Sequence, residues 1–372
     1  MSTAPVVQPL EEMDTGARLP RLRETLEGQA LIVSSLTNIR YLTGFTGSAG
    51  LLLVLPAETV LVTDGRYGTQ SVEQLAAAGV EARVDVAAAA AQKEVVTGEI
   101  ANAQLGRLGL EAAQISWARQ RAWARDWFSG LELVATEGLV EDLRRVKDAG
   151  ELARMARAAD IADQALANVK GQLKDGPTEL EFGIALDFEM RRLGASEPAF
   201  ETIVASGPNA AKPHHRPVDR PIGAGELIVV DFGATFDGYR SDMTRTYCVG
   251  EPATDDLRKM VDVVARSQAA GVKTVRAGVA AAEVDATCRR VIAEAGWADR
   301  FVHGTGHGVG LDIHEAPSVA STSSDTLQPG HVVTVEPGVY LPGFAGVRIE
   351  DTVVVTETGC RPLTSTPKEL SL

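Results

Sequence analysis

Along roughly the first 140 residues, short apolar runs alternate with helical spacings. The runs at 30–33, 51–55, 59–62, 82–86 and 108–110 predict strands, and the patterns at 67–78, 87–103 and 117–128 predict helices, as in an α/β unit. Around 141–147 the chain becomes charged and the pattern changes. Asp148 and Glu151 have the spacing of a capping box, and Leu152, Met155, Ala159, Ala162 and Leu166 follow at intervals of three and four, which predicts a long helix. Asp175-Gly176-Pro177 then breaks the chain. Thr178 and Glu181 open a second helix, with Leu180, Ile184 and Phe188 on one face. Further helices are predicted at 253–276 and 281–295, and strands at 227–232, 239–247, 331–335 and 347–355. Helices and hairpin-linked strands in this order predict an α+β domain with an antiparallel sheet. Two domains are expected, 1–142 and 143–372, in a chain of 372 residues.

Composition narrows the classes of partner. With 36 basic and 50 acidic residues, a net charge of −14 and no Lys/Arg-rich stretch, neither a nucleic-acid footprint nor a membrane-surface helix is expected. No run approaches twenty apolar residues and no signal-peptide pattern opens the chain. Cys248, Cys288 and Cys360 are far apart and odd in number, which suits free thiols in a reducing cytoplasm. Gly47-Ser48-Ala49-Gly50 reads as a tight turn, because neither phosphate-loop glycine spacing is met. Trp117, Trp123 and Trp127 lie on one helical stretch and read as packing residues.

Candidate chemistry gathers in the second domain, which holds all six histidines. Asp237-Gly238 is a two-residue hairpin signal between two strand-like runs. Pairing Phe236 with Tyr239 sets Asp231 opposite Thr244 and Gly233 opposite Asp242. The two aspartates then become diagonal neighbours on one face, roughly 7 Å apart. Such a pair either holds a cation or lies on a solvated hairpin face. His307, inside Gly304-Thr305-Gly306-His307-Gly308-Val309-Gly310, is either a ligand or a structural residue. Glu336 ends an apolar run ahead of Pro337-Gly338, and alternation sends Arg348 and Glu350 to the face opposite Val347 and Ile349. Each carboxylate alone fits a structural ion pair. Together, four carboxylates and one imidazole suit two hard or borderline divalent ions and hydrolytic chemistry.

At these residues the chain resembles the pita-bread metallopeptidases, the family of aminopeptidase P, prolidase and methionine aminopeptidase. The matching stretches are VVDFGATFDGYRSDMTRTY, HGTGHGVGLDIHE, VTVEPGVY and GVRIEDTVVVT. TNIRYLTGFTGSAG and TDGRY resemble the N-terminal domain of bacterial Xaa-Pro aminopeptidases and dipeptidases, which favours the proline-specific branch. The resemblance implies a curved antiparallel sheet with flanking helices in the C-terminal domain. It makes Asp231, Asp242, His307, Glu336 and Glu350 the ligands of two divalent ions, with Asp242 and Glu350 bridging. It makes His214, within SGPNAAKPHHRP, His303 and His314 substrate-side histidines, and Arg348 an arginine beside the last ligand. Lys212 departs from the small or apolar residue expected before Pro213-His214. His215 and His331 match nothing catalytic and read as structural or surface residues, and Cys248 reads as a core thiol.

The implied activity is release of the N-terminal residue from peptides with proline second, with Glu336 moving protons and manganese, cobalt or zinc as the metal. Manganese best suits the oxygen-rich donors. In this reading His314 serves the developing oxyanion, His303 the proline pocket and His214 the peptide beyond the bond. An Xaa-Pro dipeptidase is the alternative, in which Arg348 either receives the free carboxylate or braces Glu350. A noncatalytic peptide- or protein-binding module is a third reading, disfavoured because all five ligand positions are filled. The resemblance also implies a homodimer or higher oligomer.

Overall fold

The structure is a computed structural model that describes residues 10–372. It divides into two compact units, Glu12–Arg144 and Arg145–Leu372, the second also including Leu10 and Glu11.

In the first unit, six strands form one mixed sheet in the spatial order Arg83–Val86, Thr59–Thr63, Leu51–Val54, Ala30–Val33, Arg107–Glu111, Glu132–Thr136. The central three strands are buried throughout, so they read as continuous apolar runs rather than as alternation. Ile32, Leu53, Val60, Val96, Ile100, Trp123 and Phe128 pack together in its core. Of the three tryptophans expected to pack, Trp123 and Trp127 do, with ring centroids 5.4 Å apart. Trp117 does not. It is the first residue of helix Trp117–Asp126, and its ring is 76% exposed. Helices Arg18–Leu26, which buries Leu19, Leu22 and Leu26, and Leu36–Thr43, which buries Ile39 and Leu42, also flank this sheet, as does Leu139–Arg145. Leu36–Thr43 is bracketed by its ends: Ser35 accepts from the Asn38 N–H, and Gly44 closes it at φ 75°.

The second unit is built on antiparallel strands backed by two helix pairs. Both expected capping boxes are formed, Asp148 with Glu151 and Thr178 with Glu181, at the starts of Ala149–Val169 and Glu179–Arg192. These helices pack Ile161, Leu166, Phe182 and Leu186 against Ile228, Val230, Phe232 and Met243 of the strands Leu227–Phe232 and Met243–Cys248. The second pair, Asp255–Thr274 and Ala281–Glu294, packs Val263, Val264, Val284 and Cys288 against Val333, Val335, Val347 and Val353. Cys248 and Cys288 are buried, and all three cysteines are free thiols. Among the described residues no helix is long and apolar enough to cross a membrane.

Helix Glu179–Arg192 buries a different face from the one that carries Leu180, Ile184 and Phe188. Phe182, Leu186 and Met190 enter the core, whereas Phe188 is 67% exposed. The helix carries apolar residues on two sides, so periodicity alone did not choose between them. His331 is buried and accepts a hydrogen bond from the Gln328 N–H at Nδ1. Close to it, Lys147 and Glu315 form a buried ion pair at 2.5 Å.

Replacing Phe182 by alanine is expected to cost about 3–5 kcal/mol in urea unfolding, and Phe188→Ala less than about 0.5 kcal/mol. The same measurement tests His331. Burial first, then the charges of Lys147 and Arg145, push its imidazole down to about 4. The folded form therefore prefers the neutral ring, and stability held above the unfolded value of about 6.5 is lost as pH falls from there towards 4. A His331→Gln protein should lose less stability than the parent between pH 7 and pH 4.5.

Candidate metal centre and active-site pocket

Strand alternation decides which side chains meet. Along Leu227–Phe232, Ile228, Val230 and Phe232 enter the helix-backed core, which turns Asp231 to the opposite face. Val347 and Ile349 likewise join the other core, leaving Arg348 and Glu350 on the far side. The hairpin aligns these faces. Asp237 (φ 45°) and Gly238 (φ 76°) form its turn, Phe236 pairs with Tyr239, and Asp231 pairs with Thr244. Between the two ladders, Ser241 and Asp242 leave regular strand pairing. The predicted strand 347–355 is also broken, into Ala345–Arg348 and Asp351–Val355, and Glu350 occupies the break. Its N–H still donates to the Thr244 carbonyl at 3.1 Å, so the interruption leaves the segment tied to the hairpin.

Asp231, Asp242 and Glu350 each offer an oxygen within 4.8 Å of the others. His307 sits beside them, its Nε2 3.4 Å from Glu336 Oε1 and 3.6 Å from Asp242 Oδ2. The flanking glycines make this approach possible. A Cβ on Gly306 would fall 2.0 Å from the Thr334 carbonyl oxygen, and one on Gly308 would fall 2.4 Å from that of Ala316. Both contacts are with backbone, so no side chain can yield. Thr334 also accepts from the His307 N–H and donates to Glu336, which fixes the pair from below.

Electrostatics make this cluster costly as it stands. Burial, and then the charges of Glu350, Asp231 and Glu336, raise the proton affinity of Asp242 well above the usual carboxylate range. Glu350 is raised by burial and by Glu336 and Asp231. Burial also acts on Glu336, but the hydrogen bond and charge of His307 outweigh it and bring the carboxyl down to about 2. Asp231 Oδ1 and Glu350 Oε1 are buried without a hydrogen-bond partner. Buried carboxylate oxygens aimed at one another, with one imidazole beside them, are the donor set that hard or borderline divalent cations take. The residues present fit such ions.

Arg348 is committed to three partners. Its guanidinium is not left as a free cation, and it reaches Glu350 through Thr244 rather than directly. Its Nη2 donates to Asp231 Oδ2 at 2.5 Å, its Nη1 to the Tyr340 hydroxyl at 2.8 Å and its Nε to Thr244 Oγ1 at 3.2 Å. Thr244 in turn donates to Glu350 at 2.7 Å, and Tyr340 meets His303 Nε2 at 2.8 Å. Tyr340 and Thr244 are thus part of the site, although neither is chemically conspicuous in the sequence. Tyr340 lies four residues beyond Glu336, in VTVEPGVY, which is the signal that points to it.

His303, His307, His314 and His214 line one cavity of about 440 Å³, together with Asp231, Asp242, Glu336, Arg348 and Glu350. The rings of His307 and His314 lie 4.3 Å apart. Burial lowers the proton affinity of His303, and burial and the charge of His307 lower that of His314, so both favour the neutral ring. His214 is on the exposed side, but its neighbour His215 is buried and bonded to Glu179 at 2.9 Å. Glu179 also accepts from Ser206 and Asn209, so one buried carboxylate ties down the segment that carries His214. Lys212 turns away to Asn209.

The chain and its fold match known proteins. Residues 153–357 match the model of metallopeptidase family M24, and residues 18–146 match that of the creatinase/prolidase N-terminal domain. The uncharacterized peptidase YqhT of Bacillus subtilis is 40% identical over 95% of this chain and 99% of its own length. A solved Xaa-Pro dipeptidase from Bacillus anthracis superimposes with a TM-score of 0.91, at 37% identity, covering 96% of this chain and all of that one. An X-Pro aminopeptidase from Thermotoga maritima gives 0.87 at 32% identity, covering 95% of this chain and all of the other. With its pita-bread sheet, its clustered carboxylates and an N-terminal domain of the creatinase/prolidase type, the chain belongs to metallopeptidase family M24.

Proposed function

We propose that this protein hydrolyses the bond between an N-terminal residue and a proline in second position, as an Xaa-Pro aminopeptidase. The observation that carries the proposal is the convergence of Asp231, Asp242 and Glu350 beside His307 and Glu336, with two carboxylate oxygens left unpartnered. In this reading Asp231, Asp242, His307, Glu336 and Glu350 would hold two divalent cations, and manganese best suits the oxygen-rich set. When bound, the cations supply the positive charge that acidifies a water molecule and polarises the scissile carbonyl.

The remaining chemistry falls to the chain's own side chains. The ligand-lined floor of the pocket is where the substrate's free amine would lie, neutral beside the cations that the carboxylates hold, which suits an enzyme acting from the N-terminus. Glu336, kept ionised by His307, takes and returns the proton of the attacking water. In this reading His314, on the pocket wall, donates to the developing oxyanion. The bond before proline is a tertiary amide without an N–H, so ring shape and the carbonyl must be recognised instead, and His303 on the pocket wall serves the ring. His214, on the exposed side, holds the peptide beyond the bond.

The commitment of Arg348 to Asp231 supports the aminopeptidase over the dipeptidase, because the buried cation of the pocket is then not offered to a free carboxylate. The name of the similar Bacillus anthracis structure, an Xaa-Pro dipeptidase, favours the second reading. A homodimer in the cytoplasm belongs to the proposal, and sedimentation reads the oligomeric state.

Assay of peptides with and without proline at the second position, across a series of divalent metals, should show cleavage confined to the former and dependent on metal. Asp242→Ala should lose bound metal and activity together. The loss in turnover should be at least as large as the roughly 10–100-fold that removal of an outer partner costs. An Asp242→Ala protein with full metal content and normal turnover would defeat the assignment. Thr244→Val removes the hydroxyl between Arg348 and Glu350 while keeping the volume, and should weaken metal affinity by about 10–100-fold, read by metal titration.

A further inference from the structure

Two arginines line the pocket, and they are in opposite states. Arg348 is buried, with its guanidinium shared among Asp231, Tyr340 and Thr244. Arg216 lies at the mouth. Its side chain is 59% exposed, and its Nη1 is 2.8 Å from Oε2 of Glu201, itself a lining residue and 62% exposed. The two come from different parts of the chain. Glu201 precedes the strand Ile203–Ser206, and Arg216 stands two residues beyond His214.

The backbone on either side of Arg216 is anchored, while its exposed head group is held by Glu201, through the carboxylate at 2.8 Å and the main-chain carbonyl at 3.4 Å. Glu179 holds the His215 ring at 2.9 Å and the Val218 N–H at 3.4 Å, so the main chain carrying Arg216 is tied before and after it. The guanidinium makes its ion pair in solvent, where such pairs are weak and readily exchanged. A substrate whose free amine lies at the ligand-lined floor must run its chain outward, towards the mouth. There a dipeptide presents a carboxylate and a longer peptide presents a neutral amide. The carboxylate needs a cation, and Arg216 is the arginine that can release its partner.

Resting on the Xaa-Pro reading above, we propose that the Glu201–Arg216 pair reads the end of the substrate beyond proline. Arg216 receives a free carboxylate, Glu201 competes for the same guanidinium, and their balance sets the preference between dipeptides and longer peptides. An amide at that position leaves the pair intact. Glu201 also repels an incoming carboxylate, so the pair as it stands favours the longer substrates.

The experiment compares Gly-Pro with Gly-Pro amide on the metal-loaded parent, Arg216→Gln and Glu201→Gln. Arg216→Gln should raise KM for the acid about tenfold, the worth of a hydrogen bond to a charged group, with kcat held and the amide unaffected. Glu201→Gln should lower KM for the acid several-fold and again spare the amide. Equal changes for acid and amide, or none for either, would overturn the proposal. If the parent cleaves no peptide with proline second, the Xaa-Pro reading fails separately. Calorimetric binding of the two ligands then tests the pair alone: weaker binding of only the acid to Arg216→Gln supports it, and equal affinities of acid and amide for parent and variant refute it.

Discussion

Mutual repulsion among carboxylates buried on one face of a curved sheet is the constraint around which the second domain is organised. Two like charges about 4 Å apart cost roughly 4 kcal/mol at the effective dielectric of a protein. Asp231, Asp242 and Glu350 lie within that range of each other, and Glu336 is held next to them by His307. The protein compensates part of this with Arg348, which neutralises Asp231, and with the Thr244 hydroxyl on Glu350. The raised proton affinities of Asp242 and Glu350 show that this compensation is incomplete, and divalent cations are the chemistry that completes it.

The groups are positioned by packed and hydrogen-bonded backbone. Helix pairs cover the back of the sheet, so each strand has one face committed to the core and one to the site. A register slip of a single residue would exchange the two and bury Asp231 among valines. The Asp237-Gly238 turn guards against this at the hairpin, and the two glycines beside His307 allow its strand to lie against carbonyls at a distance no other residue tolerates. The mouth of the pocket is different. Glu201 and Arg216 are exposed and paired in solvent, which separates recognition of the peptide from a buried reaction centre.

Local patterns carried much of the outcome. Both capping boxes, the hairpin register, the alternation that places Arg348 and Glu350 together, and the free cysteines follow from neighbouring residues, and nearest neighbours decide such features. Short elements were less legible. Leu36–Thr43 spans only eight residues between a capping serine and a left-handed glycine, and the edge strand Glu132–Thr136 offers three apolar residues, none of them buried. The long strand expected at 347–355 reads as continuous because its apolar alternation runs on through Glu350, where the backbone leaves the ladder.

Tertiary structure settled the questions that depend on groups far apart in the chain. It turned Phe182 rather than Phe188 to the core, left Trp117 in solvent, and joined His215 to Glu179 across 36 residues. It also gave Arg348 to Asp231, a partner 117 residues away, when its sequence neighbour Glu350 was equally eligible by charge. Residue type and spacing by themselves determined that carboxylates and a histidine would be available on strand faces suited to metal chemistry. Which of them touch, which arginine is committed and which is free to meet a substrate, only the folded chain decided, because pairing energies depend on distance and burial that no local pattern encodes.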